Sequence, residues 1–212
     1  MAPPRSPSRA VDRAAAADAI DAFLRALGLD PSTDPELRGT GARVAEAWID
    51  DICSGYDADV DSIVLGSAIA GPTQPSPGVV MVRGINVATM CPHHLMPAIG
   101  TADVAFGPNA TLIGVGAIAR VVHALARRLV LQEVLGESIA TALHAGLSPR
   151  WVACRLDLEH ACFVARGERE HGARVVTLAL RGEITPEAAL TILGGGADGN
   201  QLAGGADGEK HA

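Results

Sequence analysis

The sequence predicts an α+β domain, an antiparallel sheet with helices on one face, preceded by N-terminal helices. Two observations carry that expectation. Stretches of strand character fall in two pairs with two helical stretches between them, giving the order strand–strand–helix–helix–strand–strand. In addition, 48% of the 212 residues are hydrophobic and 19% charged, a balance that buries a real core. Only 3% are aromatic, so that core is built from Ala, Val, Leu and Ile.

Taken in order, residues 1–12 read as a disordered tail, Pro/Ser-rich through residue 9, and 13–70 as a helical segment. Ile20, Phe23, Leu24 and Leu27 recur at helical spacing before Gly28, a C-terminal stop. A second helix over about 36–51 carries Leu37, Val44, Trp48 and Ile52 on one side. A Gly/Pro-rich connection around 71–78 leads into the main domain, 78–193. There "VVMVRGINV" (79–87) and "IGTADVAFG" (99–107) read as strands, and 116–146 as two helices broken near 129–131. "WVACRLDLEHACFVA" (151–165) and "ARVVTLALRG" (173–182) are strand-like. "TPEAALTIL" (185–193) is a short helix with Thr185 as N-cap and Pro186 in first position. Residues 194–212 are Gly-rich, repeat "GGADG" and read as a second disordered tail.

Net charge is −7 and no Lys/Arg block resembles a nucleic-acid arm, so a few placed arginines must hold any anionic ligand. The N-terminus lacks the apolar stretch of a signal peptide, and nothing approaches the roughly 18–20 apolar residues of a membrane span. A soluble, cytoplasmic protein is expected. Four cysteines, Cys53, Cys91, Cys154 and Cys162, are too scattered for a disulfide framework. Where thiols stay reduced, clustered Cys and His point to metal ligation or catalysis.

Such a cluster begins in "MCPHHLMP" (90–97). Cys91 and His94 lie three residues apart across a turn started by Pro92 and can converge on one ion, but a zinc site needs at least one more ligand. "EHACF" supplies His160 and Cys162, two apart, which in a strand project from one face. Cys91, His94 and Cys162 together would make two thiolates and one imidazole with one position open, the pattern of a catalytic zinc site. His93 and His160 would then stand beside the metal, free to move protons. The plainer alternative is that a lone strand cysteine is a small core hydrophobe and a loop His pair is polar surface.

"MCPHHLMPAIGTADVAF", "LIGVGAIARVV", "RRLVLQEVL" and "EHACFVARGERE", in this order and at these separations, resemble the GTP cyclohydrolase I family. The upstream "DPELRGTGARVAEAWIDDICSGYD" is similar to its N-terminal helical signature, so the resemblance spans roughly residues 15–182. It implies the T-fold, an antiparallel sheet with two helices, assembled into a homo-oligomer. That assembly is typically a decamer of two pentameric rings with active sites between subunits. It implies zinc on Cys91, His94 and Cys162, and proton transfer by His93 and His160. It places Gln132 and Glu133 at the substrate, with the Glu133 carboxylate accepting from the N–H donors of the guanine edge. Arg43, Arg120 and Arg166 match triphosphate-binding arginines, some contributed by neighbouring subunits, where the guanidinium fork suits phosphate. Taken singly, Glu133 also fits an ordinary first-turn helix carboxylate, and Arg43 and Arg120 a solvated helix face.

The implied reaction is hydrolytic opening of the imidazole ring of GTP, release of formate and formation of 7,8-dihydroneopterin triphosphate, with neither nucleic acid nor membrane as partner. Two departures stand out. Gly116 and Ala117 replace the Ser-Lys that the family commonly carries before the helix, and Thr177 alone remains of a Thr/Ser-rich strand. They keep two alternatives open: a diverged paralogue that acts on another purine nucleotide or stops at ring opening, and a non-catalytic zinc T-fold that binds pterin or purine. Cys53 and Cys154 have no family role and read as structural; His123 and His144 read as surface or interface residues.

Overall fold

The computed structural model describes residues 9–71 and 78–194; the outer parts of both expected tails and most of the Gly/Pro-rich connection lie outside them. The helical segment starts with α1 (Arg13–Ala26), capped by the Asp12 carboxylate, which accepts from the Ala15 amide. Arg9 already contacts the fold, its guanidinium lying over the Tyr56 ring. The second helix is shorter than expected. Residues 35–39 form turns, because Asp34 accepts from the Glu36 amide and Gly39 takes φ +75°, so α2 runs over Thr40–Glu46. It continues as a π-helical stretch, Ala47–Ile52, in which the Cys53 amide reaches back to Trp48. Helix α3 (Val60–Leu65), capped by Asp59, is an addition to the sequence reading. So is a small antiparallel pair, β1 (Ala68–Ala70) with β4 (Thr111–Ile113). These pieces are too short to leave a periodic signature.

The main sheet has four antiparallel strands in the order β2-β3-β5-β6: Val80–Cys91, Met96–Gly107, Trp151–His160 and Val175–Gly182. Helices α4 (Val115–Ala126) and α5 (Gln132–Leu147) are separated by the break expected near 129–131. They bury Ile118, Val121, Val122, Leu135, Ile139 and Leu143 against one face of the sheet. That face is supplied by alternate residues, Val87, Ala102, Val104, Phe106, Val152, Cys154, Leu156 and Leu158 among them. This is the T-fold architecture. The opposite face is partly covered by α7 (Pro186–Gly194), whose Ala189 and Leu193 pack with Ala105, Trp151 and Ala153. Thr185 accepts from the Ala188 amide, as its N-cap role requires. Elsewhere that face carries a charge ladder in which Arg155 bridges Asp103 and Asp157.

One element differs at a place that matters. The strand expected to run through 165 ends at His160, and Ala161–Val164 form a short helix, α6. The ladder with β3 stops at Ala98↔His160. Next along β3 is Pro97, which has no N–H to continue it. Cys162 therefore sits on a helical turn, and the same-face argument for His160 and Cys162 does not hold.

Candidate active site

"MCPHHLMP" is the tip of the β2–β3 hairpin. Cys91, the last residue of β2, pairs with Met96, the first of β3. The turn between them closes with the Leu95 amide donating to the Cys91 carbonyl at 3.0 Å, Leu95 adopting φ +52°. A turn started by Pro92 is thus what the chain forms. His93 and His94 are both exposed on it, their ring centroids 6.4 Å apart and their planes at 85°, so they stand as separate groups rather than a stack. Cys91 is buried, as are Cys53 and Cys154, while Cys162 is half-buried.

Strand register brings Cys91 and His160 to the same end of the sheet. Ala98 is flanked by Thr89 on one side and His160 on the other, and Cys91 lies two residues beyond Thr89. Alternation along each strand then places Cys91 and His160 on the face that carries the helices, in line with core residues Val87 and Leu158. The link between α4 and α5 is fastened to the same end. The Val130 amide donates to the Met90 carbonyl at 3.2 Å, and the Thr89 hydroxyl donates to the Arg128 carbonyl at 3.4 Å. Two residues after Val130, α5 begins with Gln132 and Glu133.

Gln132 is 2% exposed and its carboxamide is fully engaged within the chain. The nitrogen donates to the Val175 carbonyl at 2.8 Å, the Thr177 hydroxyl at 3.2 Å and the Leu156 carbonyl at 3.3 Å. The oxygen lies 2.7 Å from His160 Nε2. The side chain thus joins α5 to β5, β6 and the histidine, whereas Glu133 on the same turn is exposed. Burial pushes the His160 imidazole below its ordinary pKa, and the nearby Glu133 carboxylate opposes that shift.

Among the described residues no three His, Cys, Asp or Glu side chains stand close enough to hold a metal ion. What the fold does bring to one end of the sheet is the hairpin with Cys91, His93 and His94 and the strand end at His160, with Cys162 on the turn that follows. Two thiols with one of these imidazoles are a donor set that suits zinc and leaves a fourth position for water or substrate.

The three arginines lie on separate elements, all exposed. Arg43, on α2, donates to the Arg38 carbonyl at 2.9 Å and the Thr40 hydroxyl at 3.0 Å. Arg120, on α4, donates to the Ser67 hydroxyl at 3.2 Å, and Arg166 follows α6. Gly116 is exposed in the first turn of α4 and Ala117 is buried in the core. His123 is exposed, 3.1 Å from the Asn86 carbonyl, and His144 is partly buried on α5. Ser67, Thr40 and Thr177, which hold side chains of the candidate site, were not singled out for those contacts in the sequence. The three-residue spacing of Thr40 and Arg43 is a legible helical pair, but nothing local marks Ser67, 53 residues from Arg120.

A family model described as GTP cyclohydrolase I matches residues 16–192. A protein named GTP cyclohydrolase 1 from Leifsonia xyli subsp. xyli is 40% identical over 191 residues, covering 88% of this chain and 97% of that protein. Proteins of the same name from Allorhizobium ampelinum and Bartonella henselae are 38% and 36% identical, covering 81% and 77% of this chain and 83% and 78% of their own length.

Proposed function

The chain belongs to the GTP cyclohydrolase I family, and from that premise we propose that it hydrolyses GTP, opening the guanine imidazole ring, releasing formate and forming 7,8-dihydroneopterin triphosphate. One observation carries the reading to this chain's own residues. The β2–β3 hairpin tip, the end of β5 at His160 and the first turn of α5 meet at one end of the sheet.

In this reading Cys91, His94 and Cys162 would hold a zinc ion, which would supply Lewis acidity that brings the pKa of a water toward neutrality. Cys91 comes from the hairpin's paired edge, His94 from its exposed turn, and Cys162 from the helical turn after β5. His93 and His160 move protons as C8 is attacked and the ring opens. Glu133, exposed on the α5 turn beside His160, accepts hydrogen bonds from the guanine edge. Arg43, Arg120 and Arg166 bind the triphosphate. The chain works as a homo-oligomer, a decamer of two pentameric rings, with sites completed between subunits. Among the described residues no helix is long and apolar enough to cross a membrane.

Gly116 and Ala117 favour weighing a second purine nucleotide as substrate, because the family's serine and lysine side chains are absent there. The test is turnover of GTP, GDP, GMP and base-modified guanine nucleotides by the zinc-loaded protein, read as formate and as the fluorescence of oxidised neopterin. A clear GTP preference with neopterin formation is expected; faster turnover of another nucleotide, or ring opening without neopterin, would overturn the proposal.

A further inference from the structure

We propose that Gln132 is a positioning residue that locks His160 in the Nε2–H tautomer, leaving Nδ1 as the ring's proton-accepting atom. The inference rests on the reading above in one respect, that His160 moves a proton, and goes beyond it in naming the atom and the side chain that selects it.

The chemistry of the contacts decides the orientation. Around the Gln132 nitrogen lie two backbone carbonyls, Val175 at 2.8 Å and Leu156 at 3.3 Å. A carbonyl only accepts, so the NH2 group faces the strands and the amide flip is determined. The Thr177 hydroxyl at 3.2 Å accepts as well, since an amide nitrogen has no lone pair to offer it. The other end of the group, the Oε1 atom, is therefore the one 2.7 Å from His160 Nε2. Two acceptors do not approach to that distance, so Nε2 carries the proton. In the neutral ring the lone pair then belongs to Nδ1.

The lock is buried and joined to three elements. Gln132 is the first residue of α5, and its donors tie it to β5 and β6 across the pair Leu156↔Thr177. Rotating the amide would turn its oxygen toward the Val175 and Leu156 carbonyls, which only accept, and break both contacts at once. Glu133, the next residue, is exposed and free for a ligand. Neighbouring helix positions thus divide the work, with one holding the base from inside and one facing the substrate.

The experiment is magic-angle-spinning 15N NMR of the assembled, zinc-loaded protein labelled in its seven histidines, with the His160 signal assigned by its loss in His160→Ala. In the wild type the neutral His160 ring should show the Nε2–H tautomer alone. Gln132→Met keeps the shape but neither polar atom; His160 should then populate both tautomers, and kcat on GTP should fall about 10- to 100-fold with KM within about 3-fold. Thr177→Val leaves both carbonyl acceptors in place and should keep the wild-type tautomer, which separates the lock from general packing. An Nδ1–H tautomer in the wild type overturns the proposal, whether or not Gln132→Met folds. So does a Gln132→Met variant that keeps the Nε2–H tautomer while losing kcat, or one that raises KM at constant kcat, which would make Gln132 a substrate contact. If the tautomers behave as expected but the wild type does not turn over GTP, the lock stands and the assigned reaction falls.

Discussion

At position 116 the chain has a glycine in the first turn of α4 where its family commonly has serine, and the space for the missing side chain is still there. A Cβ at Gly116 would meet only Arg120 Nη1, at 3.7 Å, an ordinary contact. Gly116→Ser should fold and gain about 0.5 kcal/mol from helix propensity. If its hydroxyl reaches the substrate, one neutral hydrogen bond of about 0.5–1.5 kcal/mol corresponds to a KM for GTP about 2- to 10-fold lower at unchanged kcat, measured by steady-state kinetics. An unchanged KM would mean that the substrate is held elsewhere. Ala117 does not offer the same repair, because it is packed in the core and a lysine there would displace Ile118 and its neighbours. The cysteines divide in the same residue-level way. Burial, with Asp103 and Glu137 adding to it, pushes the Cys154 thiol up to about 12, so Cys154 stays protonated and inert at working pH. The place of Cys91 at the end of β2, paired with Met96, and the half-buried place of Cys162 on α6 set those two apart.

At the scale of elements, the β3–β5 register is what presents His160, and Gly100 guards it. Gly100 lies opposite Leu158, two residues along from Ala98↔His160, and a Cβ there would collide with the Asp157 carbonyl of the neighbouring strand. Gly100→Ala should cost about 1–3 kcal/mol as the strands part, lowering the melting temperature by about 2–4 °C for each kcal/mol lost. A melting curve that does not move would show that the ladder tolerates the shift. The same elements show what was legible beforehand. The paired strands, the break between α4 and α5 and the cap of α7 all follow from periodicity and turn residues. The end of β5 was missed because Ala161, Cys162, Phe163 and Val164 are as apolar as a strand. Only the neighbouring strand, where Pro97 precedes the last paired residue Ala98, reveals that the ladder stops. The family resemblance placed Gln132 at the substrate; its four internal partners lie between 24 and 45 residues away in sequence, beyond any local pattern. The turn that joins Cys91 to His94 was legible because spacing within a hairpin is local.

At the scale of the whole molecule, the sheet has β2 and β6 at its outer edges, and assembly of copies side by side is the economical way to satisfy exposed strand edges. In the proposed assembly, arginines on α2, α4 and the segment after α6 reach sites that no single element completes, so the proposed reaction is to be tested on the assembled, metal-loaded protein. The most direct measurement is formate released per GTP by that assembly, alongside Cys162→Ser and the chelated wild type. Formate should appear with turnover in the wild type, fall to background in Cys162→Ser and on chelation, and return to the chelated wild type when zinc is restored. Full formate release by Cys162→Ser, or by the wild type after its metal is removed, would contradict the zinc-dependent opening of GTP.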